Sequence, residues 1–161
     1  MSIPTDLGVI DTMLGIPTGD RASWYKFLRP QLRDRESLDE LEMPAGYMFN
    51  DVPADLEGDP VDAVVVEMDH YGIERALIGW RIDGPEPAAL ERFPERFLPC
   101  ASVDPNRGMA AVADLKAAAT EHGVVAAQWF PAGGNPQVPI NDKRAYPIYA
   151  ACCELGIPIF V

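Results

Sequence analysis

Five polar side chains stand where apolar runs of this sequence end, and their types suit the handling of a small acid. Asp11 follows Val9-Ile10, Arg81 follows Ile78-Gly79-Trp80, Ser102 and Asp104 bracket Val103, and Gln128 follows Ala126-Ala127. An aspartate in such a position can act as a general base or as an outer-shell carboxylate. Arg81 can clamp a substrate carboxylate through its planar fork of N–H donors, and Gln128 and Ser102 can orient a carbonyl or carboxylate. Each also has a plainer use. Asp11 can bond neighbouring backbone, Arg81 can be solvated, and Asp104-Pro105 reads as the start of a turn. These residues lie far apart in sequence, so their chemistry depends on the scaffold that gathers them.

That scaffold is a series of short apolar runs, at 7–12, 74–80, 96–103, 124–130 and 157–161, alternating with amphipathic segments. Strands alternating with helices imply an α/β fold with a parallel sheet. Three runs are introduced by the same joint, His70-Tyr71-Gly72-Ile73, Glu121-His122-Gly123-Val124 and Glu154-Leu155-Gly156-Ile157. Glycine just past a helix end closes the last turn in the left-handed conformation, so each joint reads as an αβ loop. The preceding helices carry apolar faces at helical spacing: Val61, Val64, Val65 and Met68; then Val112, Leu115 and Ala119; then Tyr146, Tyr149, Ala150 and Cys153. Asp59-Pro60 supplies a helix start, Asn141-Asp142 reads as a second, and a shorter helix is expected over 87–93.

Residues 13–58 break this rhythm, being far longer than the usual connection of about two to six residues. The segment carries Trp24, Tyr25, Phe27, Tyr47, Met48 and Phe49 among many charges and reads as an insertion with one or two short helices. A loop that follows a strand of a β/α barrel lies on the catalytic face, which makes this a candidate lid. A local mini-core or an oligomer contact is the alternative use of its aromatics.

Composition narrows the partners. The 161 residues hold thirteen basic and twenty-five acidic side chains, a net charge of −12 that repels phosphate backbones and anionic lipid surfaces. No apolar run reaches a membrane-spanning length and the first residues lack a secretory pattern, so a soluble cytoplasmic protein is expected. Cys100, Cys152 and Cys153 lack metal-binding spacing and read as reduced packing residues. Gly133-Gly134-Asn135-Pro136 lacks the following lysine of a phosphate-cradling loop and reads as a flexible rim of a pocket. A small-molecule substrate is the expected partner.

The order of these runs resembles the amidohydrolase-related (amidohydrolase 2) family of TIM-barrel metal-dependent hydrolases, a group that includes decarboxylases of aromatic and related acids. Four passages carry the resemblance: Val9-Ile10-Asp11; residues 68–78 around Asp69-His70-Tyr71-Gly72-Ile73; residues 94–105, with Phe97-Leu98-Pro99-Cys100; and residues 146–161, with Leu155-Gly156-Ile157-Pro158. It implies a (β/α) TIM-type barrel of which about five of eight strands are present, the whole of 1–161 forming one partial domain, since a complete barrel takes about 250 residues. It also implies a hydrolase or carboxy-lyase acting on a small organic acid or amide, with a divalent metal such as zinc.

The family's first strand usually ends in an Ile-Asp-x-His-x-His motif, whose alternate histidines reach one metal. Met13 and Gly15 occupy those places here, a soft thioether and no side chain at all. Gln128 stands where the family can carry a lysine that bridges two metals, and glutamine cannot be carbamylated for that task. His70 and His122 fall beside helix-ending glycines, on the face opposite a barrel's mouth. No metal-ligand set is therefore assigned, and the family's further ligands would lie past Val161. A degenerate barrel or fragment acting through ligand or partner binding is the alternative function. Five strands without closure expose sheet edges, so a homo-oligomer or a completing partner chain is expected. An open doubly wound sheet, with its strand order reversing at a ligand crevice, is the alternative architecture.

Overall fold

The computed structural model describes residues 7–18, 26–40 and 58–161. Trp24, Tyr25, Tyr47, Met48 and Phe49 of the insertion lie outside the described residues. Five strands, β1 (Val9–Leu14), β2 (Ile73–Gly79), β3 (Phe97–Ser102), β4 (Ala126–Gln128) and β5 (Ile159–Phe160), form one sheet in the order β1-β2-β3-β4-β5. Every neighbouring pair is parallel. Spatial order equal to chain order is the barrel pattern, and the reversal that a doubly wound sheet requires does not occur.

Helices α1 (Arg35–Glu40), α2 (Pro60–His70), α3 (Glu86–Arg92), α4 (Met109–His122) and α5 (Tyr146–Leu155) connect or precede the later strands. Asp34 caps α1 by accepting from Ser37 N–H and Ser37 Oγ–H. Asp59 caps α2 by accepting from Val61 N–H and Asp62 N–H, with Pro60 at the first helical position. Gly72, Gly123 and Gly156 follow helices at φ of 67°, 64° and 68°, the left-handed conformation that the three joints require. None of the helices among the described residues is long and apolar enough to cross a membrane.

The two faces of the sheet are distinct. Ala76, Ile78 and Phe97 pack outward with Val61 and Met68 of α2 and Ala89 of α3. Ala101 and Ala127 pack outward with Val112 and Leu115 of α4 and Ile148, Ala151 and Cys152 of α5. On the opposite face Leu77, Cys100 and Ala126 form a separate apolar layer with Leu98 and Phe160. Side-chain alternation along each strand produces this division.

α5 departs from the sequence expectation. Its buried stripe is Ile148, Ala151 and Cys152, while Tyr146 and Cys153 are exposed. The i, i+3, i+4 row that contains the branched Ile148 buries more aliphatic surface than the tyrosine row, and Tyr149 keeps its hydroxyl donated to the Ile140 carbonyl at 2.6 Å. Asp142 does not cap this helix. It accepts from Arg144 N–H at 2.9 Å and shapes the preceding turn, and α5 begins with Pro147 in its first turn.

Candidate functional site

Gly79, Ser102 and Gln128 are the last residues of β2, β3 and β4. By alternation they share the face of Leu77, Cys100 and Ala126, the side turned away from the helices. Ser102 and Gln128 are register partners, and Gln128 Nε2 donates to Ser102 Oγ at 3.4 Å. A Cβ on Gly79 would lie 3.2 Å from Gln128 Nε2, so the bare glycine gives the amide its place over β2. The result is a small polar tier above an apolar layer, at the carboxyl ends of three adjacent strands. Burial, with a lesser contribution from Cys152, pushes the Cys100 thiol up to about 11, so the layer beneath the tier is neutral.

The loops beyond these strand ends are tied together. Asp104 accepts from Asn106 N–H at 2.9 Å and so starts the turn that its pairing with Pro105 suggests. Asn106 then donates its amide to the Pro136 carbonyl at 2.8 Å and accepts from Arg144 Nη1 at 2.9 Å. Arg144 in turn holds the Asp142 carboxyl at about 2, chiefly through their side-chain hydrogen bonds. The insertion reaches the same rim. Phe27 meets Phe130 edge to face with centroids 6.3 Å apart, and Gln31 bonds both the Gly134 carbonyl and the Gln137 amide. A Cβ on Gly133 would lie 2.5 Å from Phe130 and 2.7 Å from Phe27, so this approach needs a glycine.

Arg81 forms a second group, beyond the end of β2. It lines a cleft of about 330 Å³ with Gly15, Ile16, Pro17 and Thr18, the residues that follow β1. Its Nε and Nη2 donate to Glu86 Oε1 at 3.0 and 2.6 Å. Glu86 is 2% exposed, and it stands just before the helix expected over 87–93, where the sequence singles out no functional residue. The signal that could have found it is the short Asp83-Gly84-Pro85 turn separating an arginine from an acid five positions on.

Asp11 joins neither group. β1 runs two residues past the end of its apolar run, which leaves Asp11 inside the strand opposite Ala76, and its Oδ1 accepts from Met13 N–H at 2.9 Å. His70 ends α2, and His122, the last residue of α4, lines a cleft of about 350 Å³ together with Trp80, Ser102 and Asp104, so it is not confined to the face opposite the strand ends as its joint suggests. His122 stacks on Trp80 with centroids 4.9 Å apart.

A family model described as Amidohydrolase matches residues 27–161. No curated protein sequence matches the chain. Among solved structures the chain is similar to 5-carboxyvanillate decarboxylase from Novosphingobium aromaticivorans DSM 12444 with bound manganese and a nitrobenzoic acid, at TM-score 0.65 and 16% identity over 98% of this chain and 51% of that one. It is similar to a dihydroxybenzoic acid decarboxylase from Polaromonas sp. JS666 with manganese and 2-nitroresorcinol, at TM-score 0.56 and 16% identity over 96% and 48% of the two chains. An uncharacterized TIM-barrel protein from Bordetella bronchiseptica gives TM-score 0.57 and 21% identity over 95% and 54%. The chain spans about half the length of these structures, and its likeness to them establishes the TIM-type fold of its five strands.

Manganese in two of those structures raises the question of whether this chain's residues suit such an ion. A hard divalent cation takes oxygen and imidazole ligands. Met13 is 85% exposed and offers only a thioether, Gly15 offers nothing, and no group of three His, Cys, Asp or Glu side chains converges among the described residues. The described donor set does not fit the ion.

Proposed function

Because the chain belongs to the amidohydrolase family, we propose that its strand ends form part of a barrel mouth acting on a small organic acid or amide, by hydrolysis or by loss of carbon dioxide. The observation that carries this reading is the Gln128–Ser102 tier over Gly79, on the face turned away from the helices. That is where TIM-barrel enzymes place the groups that touch substrate. The family match supports an enzymatic reading over a barrel used only for binding.

Each side chain has a defined task in this proposal. Gln128 offers both a donor and an acceptor, and Ser102 can turn its hydroxyl to suit, so together they orient a carboxyl or amide group from one side. Arg81 supplies the charge-assisted pair that holds a carboxylate at the neighbouring cleft. A guanidinium stabilises the carboxylate it binds and so resists its loss. Arg81 therefore suits an anchoring carboxylate that survives the reaction, with the reacting group directed toward Gln128. Asp11 stands behind the mouth and not in it, since Met13 N–H occupies its Oδ1 and its strand partner Ala76 packs toward the helices. The loop held by Phe27, Gln31 and Gln137 serves as one wall of the mouth, in keeping with a lid.

Calorimetric titration of the full chain with isophthalate, which carries one carboxylate for Arg81 and a second for the tier, tests the reading. Gln128→Leu removes both polar atoms at nearly constant size. It is expected to weaken isophthalate binding about tenfold, the value of a hydrogen bond to a charged group at the low end of its range. Equal isophthalate affinity in wild type and Gln128→Leu overturns the assignment of the tier to substrate.

A further inference from the structure

Arg81 is aimed by a residue behind it. Glu86 is buried while the Arg81 side chain is 52% exposed, and a single carboxylate oxygen of Glu86 receives both Nε and Nη2. Neither Nη1 nor the remaining Nη2 hydrogen has an acceptor among the described residues, and Arg81 lines the cleft formed with Gly15–Thr18. The other oxygen, Glu86 Oε2, is buried and has no partner among the described residues. It lies where a Cβ on Gly84 would come within 2.0 Å, a space that only glycine leaves open.

A carboxylate is not buried in this way for stability alone, because desolvating it costs more than a half-solvated partner returns unless geometry is the gain. We propose that Glu86 is a positioning residue. It fixes the Arg81 fork so that the remaining donors face a ligand carboxylate in the cleft, and Gly84 provides the room this requires. The inference rests on the reading of Arg81 as a carboxylate anchor. It adds a residue pair that turns a long flexible cation into a directed one, with less rotamer freedom to lose on binding.

The test separates aim from charge. Glu86→Asp keeps the charge but draws the carboxylate back by one methylene, and Gly84→Ala keeps both charges but displaces Oε2. Binding of benzoate and of neutral benzamide to the full chain is measured by calorimetry for wild type, these two variants, Arg81→Lys, and the Arg81→Lys/Glu86→Asp pair. Each single variant is expected to weaken benzoate about tenfold, as misdirected bidentate contacts do, with benzamide unchanged. The pair is expected to bind benzoate no more weakly than Arg81→Lys alone, because residues acting through one contact are not additive. A merely structural role for Glu86 would weaken both ligands together, and that result overturns the inference. Wild-type benzoate affinity in Glu86→Asp and Gly84→Ala, alongside a weak Arg81→Lys, also overturns it while leaving Arg81 as the anchor. Wild-type affinity in Arg81→Lys, or no benzoate binding by the wild-type chain, overturns both readings.

Discussion

Replacing Arg81 with alanine strands a charge, and the cost can be worked from the structure. Glu86 is 2% exposed, its Oε2 has no partner, and its Oε1 is held only by Arg81 among the described residues. Removing one partner of a buried pair typically costs about 3–5 kcal/mol. Arg81→Ala is therefore expected to lose about 3 kcal/mol at pH 7. Glu86→Gln in the Arg81→Ala background removes the stranded charge and is expected to recover more than half of the loss. Urea unfolding followed by tryptophan fluorescence measures both variants against wild type. A loss below about 1 kcal/mol at pH 7, or a double variant as weak as the single, refutes the view that Arg81 is the counter-ion of a buried carboxylate.

Two further expectations concern groups whose protonation the fold sets. Burial raises the thiols of Cys100, to about 11, and of Cys152, while Cys153 is exposed; a thiol reagent at pH 8 is expected to modify Cys153 first and the other two only on unfolding, and rapid native labelling of Cys100 would refute its placement in the inner layer. The Asp142 carboxyl, held at about 2 mainly by Arg144, contributes stability above its unfolded value near 3.8 that is lost as pH falls toward 2; Arg144→Met is expected to flatten acid unfolding across that window, and an unchanged acid profile refutes the pairing.

The order of the fold was legible because its punctuation is local. Gly72, Gly123 and Gly156 sit at helix ends whose geometry demands a left-handed residue, and the apolar runs between them are too short for anything but strands. Helix faces were legible where one stripe dominated, as for Val61 and Met68 of α2. They failed on α5, where tyrosines and cysteines offered a second stripe and only the neighbouring α4 decides which one is covered. The contact of Phe27 with Phe130 lay beyond reading for a related reason: the two are adjacent only because a loop after β4 returns to meet the insertion.

Within the site, what the sequence conveyed depended on strand register. β2, β3 and β4 pair without a shift, so counting by twos from the inner apolar residues places Ser102 and Gln128 side by side on one face. β1 shifts register twice: between Val9 and Ile10, where one step of its own chain opposes two of β2, and between Asp11 and Leu14, where three steps oppose two. A slip of one residue reverses the face of everything after it. Nothing in the alternation of Val9, Ile10, Asp11, Thr12 and Met13 announces either shift, because this edge strand is largely exposed and neither face is marked by burial. Distance from the end of an apolar run points Asp11 to the mouth, and the first of the two shifts sets it opposite Ala76. Glu86 was missed for the converse reason. Its neighbours in sequence look like the start of an exposed helix, and only the bare Gly84 and the returning Arg81 side chain convert an ordinary surface acid into the buried group that directs the cleft's cation.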